Sequence, residues 1–243
     1  VARAPTLLPH GQAGHRWFLR LDEDDRERVL RAWLARGFGS WGAFLFRHVP
    51  PSGPLAAERE AAFARWSIAA RSQHGSITPA LLVDLPADLR AREGRRHLSA
   101  LAALATRAEE RLDYARFLPF SEAKEAVRAF LGHPEGEQRA WALRPLIGIA
   151  RFEPASLADA LALVHARKFE QDPVRLVMMQ ALGELPLRVF KPEHLEGVGR
   201  CVEDALDAAD LSPATGAAAE RLIVRLFRKD AAWGARWLAR LLG

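Results

Sequence analysis

Apolar residues recur at three- and four-residue steps almost throughout this chain, the period of a helix with one buried face. No stretch sustains the apolar and polar alternation of a strand among β-branched residues. The most complete unit is DPVRLVMMQALGELP, residues 172–186. Asp172 supplies a capping carboxylate and Pro173 fits the first helical position. Val174, Val177, Met178, Ala181, Leu182 and Leu185 then line one side until Pro186 ends the run. Earlier in the chain the pattern predicts a helix over 23–36, opened by the acidic DEDD, presenting Val29, Leu30, Trp33 and Leu34 and stopped by Gly37. A short helix over 40–48 with Trp41, Phe44 and Leu45 follows, then a break at RHVPPSGPL. Helices over 55–73, 87–106, 108–118 and 121–132 come next, the second with Leu98, Leu101, Ala102 and Ala105 as its apolar side.

Beyond residue 132 the punctuation becomes regular: a helix, a brief turn carrying Pro, Glu, Asp or Ser, and another helix, three times over. Arg139, Ala142, Leu146 and Ile149 stand 36 residues before Arg175, Met178, Leu182 and Leu185, and a 41-residue step carries Leu182 and Leu185 to Ile223 and Leu226. A drifting period near 40 predicts an all-α array of helical pairs, because one pair cannot bury its apolar face without neighbours. The expected organisation is an irregular helical segment over 1–75 and repeated pairs over 76–243, stacked continuously with it.

DPVRLVMMQALGEL resembles the second helix of a HEAT repeat, in which Asp opens the helix, Val-Arg follows and an Ala-Leu-Gly-x-Leu run closes it. HPEGEQRAWALRPLI is a looser copy with Pro145 where the better unit has Ala181, and SPATGAAAERLIVRL keeps only the apolar spacing. The resemblance covers about 121–243 and extends weakly over 86–120. It implies an α-solenoid of antiparallel pairs acting as a protein-binding scaffold without catalytic activity. It also leaves open a nucleic-acid-binding protein, since HEAT-like arrays occur in DNA glycosylases that grip the backbone with a basic concave face; the Trp and Asp residues of that enzyme family find no match here.

With 49% hydrophobic residues the chain has ample material for a core. One cysteine, Cys201, makes no internal disulfide, and no apolar run approaches the roughly 18 residues of a membrane span. The N-terminal apolar run is too short for a signal-peptide core. A reducing cytoplasmic setting, with no membrane partner, is the expectation. The net charge of +5 arises wholly in the first half: residues 1–118 carry 18 Arg against 13 acids, and the remainder 17 basic residues against 17 acids. Such an excess is modest over 243 residues, so it ranks a protein partner ahead of nucleic acid.

Candidate chemistry is sparse. GFGSWG, Gly37–Gly42, has the spacing of a dinucleotide-binding loop but follows a charged helix where a buried strand is required, so no cofactor is expected. His10 and His15 have no third metal ligand nearby, and no metal site or nucleophile-base arrangement can be assembled. His133 and His165 read as turn and boundary residues, Cys201 as a packed thiol, and Trp233 with Trp237 as stacking surface. The foremost candidate for a binding surface is Arg92, Arg95 and Arg96, which share one side of their helix opposite Leu98 and Leu101, with Arg107 and Arg111 following. Clustered guanidinium groups hold phosphates or carboxylates. Asp88 and Glu93 stand beside them, giving a partly paired, solvated face.

Overall fold

The computed structural model describes residues 18–36 and 45–242. Every regular element among them is helical. Contacts divide the chain into one unit of residues 1–73 and 80–86 and another of 74–79 and 87–243.

In the first unit α1 (Glu23–Arg36) packs on α2 (Ala56–Ala70). Three acids in the first turn of α1 complement its N-terminal dipole. Phe46 meets Phe63 edge-on at 5.7 Å, and Phe63 stacks on Trp66 at 5.6 Å, so aromatic area anchors this small core. Arg47 donates to the Asp84 carbonyl (2.8 Å) and carboxylate (3.2 Å), tying residues 80–86 back to the unit. The helix expected over 40–48 is described only at 45–48, as a 3-10 turn; Trp41, the GFGSWG stretch, His10 and His15 lie outside the described residues. The proline-rich break after Arg47 lies within this unit.

After the single turn α3 (Pro79–Leu82), the second unit contains α4 (Ala87–Ser99), α5 (Ala108–Asp113), α6 (Phe120–Ala126), α7 (Arg128–Leu131), α8 (Gly136–Gly148), α9 (Leu157–His165), α10 (Asp172–Glu184), α11 (Pro192–Leu206), α12 (Pro213–Phe227) and α13 (Ala231–Leu242). Helices α8, α10 and α12, which begin at residues 136, 172 and 213, pack side by side in that order; α9 packs on α11, and α11 on α13. Their apolar faces form one core in which Ala142, Leu143, Leu146, Leu182, Val198, Leu222 and Ile223 are fully buried. Polar ties between residues 38 to 40 apart join neighbours: Arg144 to Glu184 (2.9 Å), Arg225 to the Leu185 carbonyl (2.9 Å), Trp233 Nε1 to the Leu195 carbonyl (3.0 Å) and the Ser212 amide to Asp172 (3.1 Å).

The helix expected over 87–106 differs from the observed one in length and in facing. It ends at Ser99, whose hydroxyl donates to the Arg95 carbonyl (2.8 Å), and the extended backbone of Leu101 leads into a 3-10 turn that buries Leu104. Its buried side is Leu89, Ala91, Glu93, Gly94 and His97, and Leu98 and Leu101 are only half-buried. Gly94 permits this: a Cβ there would stand 3.2 Å from the Tyr114 carbonyl and from Phe117. His97 stacks on Tyr114 with ring centroids 4.1 Å apart. Its Nε2 accepts from the Ile77 amide (2.8 Å), which leaves Nδ1 to donate to the Glu93 carbonyl (2.7 Å). Polar atoms with hydrogen-bond partners can thus occupy a core face that hydropathy assigns to solvent.

Candidate functional site

Arg92, Arg95 and Arg96 do share the outward side of α4, and the guanidinium heads of Arg95 and Arg96 are engaged within the protein. Arg95 grips Glu122 of α6 with two hydrogen bonds (2.6 and 2.8 Å), which holds the Glu122 carboxyl below its ordinary range. Arg96 donates to the Gly75 carbonyl (2.8 Å) and to the buried Glu93 (3.1 Å). Arg92 stands exposed one turn before Arg96. Arg107 binds Glu110 and the Ala103 carbonyl, and Arg111 lies over the Phe130 ring at 6.0 Å. Arg95 and Arg96 act first as braces within this unit.

A groove of about 840 Å³ opens instead across α5, α8 and α10. Helical spacing places its lining: Glu109, Glu110 and Asp113 come from α5; Glu137, Ala140, Trp141, Arg144 and Pro145 from α8; Pro173, Val174 and Val177 from α10. Within α8, steps of three and four bring Glu137, Trp141 and Pro145 to one face while Ala142, Leu143 and Leu146 turn inward. Trp141 and Val177 are half-buried, so an indole and an aliphatic side chain remain accessible on the floor. Pro145 has no N–H, so the Trp141 carbonyl four residues earlier loses the helical donor that any other residue would supply.

The electrostatics of the groove oppose those of the whole chain. Four carboxylates line it against two guanidinium groups. Arg116 pairs with Asp113, Arg144 with Glu184, and Arg107 with Glu110. Burial pushes the Asp113 carboxyl above its ordinary value, with Arg116 and Arg144 offsetting only part of the rise. Glu109 and Glu137 have no partner among the described residues and are exposed. Burial, with Asp113 and Glu110 nearby, pushes the Tyr114 hydroxyl up to about 12, and that hydroxyl donates to the Ile77 carbonyl (2.7 Å).

Sequence reasoning missed this groove, although Pro145 inside a helix and a tryptophan on its non-core side were visible signals. Elsewhere in the unit, His165 pairs with Asp204 (2.5 Å), and Trp233 and Trp237 are buried with centroids 6.2 Å apart. Burial raises the Cys201 thiol to about 12 as it donates to the Leu161 carbonyl, 3.6 Å away. Among the described residues no group of three or more His, Cys, Asp or Glu is placed to hold a metal ion, and no helix is long and apolar enough to cross a membrane. No family model matches this chain, and comparison with curated proteins and with solved structures gives no significant match.

Proposed function

We propose that the chain is a HEAT-like α-solenoid that serves as a non-catalytic protein-binding scaffold, and that its partner occupies the groove across α5, α8 and α10. The side-by-side order of α8, α10 and α12 and the polar ties between residues 38 to 40 apart support the solenoid reading. The observation that carries the docking role is the pairing of accessible Trp141 and Val177 with two carboxylates, Glu109 and Glu137, that have no partner among the described residues. Aromatic side chains in partly dehydrated pockets are where protein interfaces concentrate their energy. The nucleic-acid alternative draws less support, because a groove rich in carboxylates repels phosphate.

Selection of displayed random peptides, a dozen residues long, on the full chain tests the reading. Enriched peptides should lose about tenfold or more in affinity on Trp141→Ala, the loss of one anchoring aromatic. Peptides indifferent both to Trp141→Ala and to Val177→Asp would place docking elsewhere and overturn the proposal.

A further inference from the structure

The groove does more than offer apolar contact; it specifies the chemistry of what it holds. Resting on the docking role proposed above, we infer that its occupant is an extended protein segment that sets a basic side chain, lysine or arginine, beside an apolar one. Three independent features of the second unit converge on that chemistry.

Charge is the first. Arg116, Arg144 and Glu110 already have partners, so the uncompensated charge that remains in the groove is negative and sits on Glu109 and Glu137. Glu137 lies one helical turn before Trp141 on α8, which places a carboxylate and an indole side by side. A lysine or arginine fits that pair with both of its parts: the hydrocarbon stem or cationic head against the indole, and the charge to the carboxylate. Neutralising an acid exposed on a groove floor is also more favourable there than in open water, because the walls exclude part of the solvent.

The second feature is the backbone. Pro145 leaves the Trp141 carbonyl without its helical donor, and both residues line the groove. An extended segment has free N–H groups to offer such an acceptor, whereas a docked helix has already used its own.

The third is an internal precedent that ends at the groove itself. Residues 74–78 run beside α4 and the 3-10 turn that follows α5, without helical structure before Pro79. Side chains grip their backbone: the Ile77 amide donates to His97, the Ile77 carbonyl accepts from Tyr114, and the Gly75 carbonyl accepts from Arg96. Pro79 and Tyr114 are both part of the groove lining. Beside the groove, this unit therefore already holds one non-helical segment of its own chain by the main chain, with the apolar Ile77 fully buried.

The test uses three labelled peptides of equal length on the full chain, identical in their leucine and glycine positions and carrying lysine, glutamine or glutamate at the others, read by fluorescence anisotropy. The lysine peptide should bind about tenfold or more tighter than the glutamine peptide, the worth of a charge-assisted hydrogen bond, and the glutamate peptide weakest. The double reversal Glu109→Lys with Glu137→Lys should invert that order. Pro145→Ala, which restores a donor to the Trp141 carbonyl, should weaken the lysine peptide. If the lysine and glutamine peptides bind alike and Trp141→Ala still abolishes both, the groove docks proteins but not basic ones, and this inference fails alone. Should no peptide respond to Trp141→Ala, the docking reading fails with it. Self-association in sedimentation that the double reversal abolishes would make a second copy the occupant and overturn the inference equally.

Discussion

Whether a helical glycine can accept a side chain depends on what stands beside it. Gly183 in α10 has nothing within 4 Å of where a Cβ would be, so Gly183→Ala removes the backbone freedom of glycine without a clash. It should raise stability by up to about 1 kcal/mol in urea unfolding. At Gly234 in α13 a Cβ would meet the Phe227 ring at 2.5 Å and its Cα at 3.0 Å. Backbone cannot swing aside as a ring can, so Gly234→Ala must push α13 away from α12. A net loss of about 1 to 2 kcal/mol is expected, overpacking outweighing the gain in helix propensity. Equal effects at the two positions would mean that α12 and α13 do not approach each other this closely.

Between elements, the Arg139 and Glu170 pair shows how the turns of the unit are locked. Arg139 of α8 reaches both carboxylate oxygens of Glu170 (2.7 to 3.0 Å) and the carbonyls of His133 and Pro134 (2.7 and 2.8 Å). Burial alone would raise the Glu170 carboxyl, but hydrogen bonds and charge from Arg139 and Arg167 outweigh it and hold the group below its ordinary value of 4.5. A carboxyl lowered in the folded state binds fewer protons there than when unfolded. Its stabilisation is therefore present above pH 4.5 and lost as pH falls through the folded value. Glu170→Gln should cost about 1 to 3 kcal/mol near neutrality, and the gap to the unaltered protein should close as unfolding is measured at successively lower pH. A gap constant with pH would show that Glu170 contributes packing alone. The 36-residue step that pairs Arg139 with Arg175 was legible in the sequence, and Arg175 likewise reaches an acid beyond its own helix, Asp210, at 2.5 Å. The partners were not legible, because Glu170 and Asp210 lie in turns, where apolar periodicity carries no signal. The sequence pattern likewise set Glu93 on the solvated side of α4 beside the arginines, since nothing local shows that it is buried and that Arg96 reaches its carboxylate. The groove draws residues from three separated helices, and its charge depends on which arginines are already engaged.

For the molecule as a whole, net charge and local charge predict different partners. A surplus of +5 gathered in the first half suggests affinity for nucleic acid, and Arg92, Arg95 and Arg96 are its densest cluster. Arg95 and Arg96, however, are joined to Glu122 and to the strap at Gly75, so offering them to phosphate means breaking ties within the unit. Each phosphate neutralised would add about 0.9 to the logarithmic salt slope of duplex binding. Binding seen at low salt should therefore vanish near physiological salt with a shallow slope. The triple substitution of these arginines by glutamine should leave that slope almost unchanged while lowering stability by about 1 to 3 kcal/mol, chiefly because the buried Glu93 loses the Arg96 guanidinium. A slope reduced by about three, with stability intact, would instead mean that all three guanidinium groups grip phosphate. The braces on α4 would then be the resting state of a nucleic-acid surface rather than part of the scaffold.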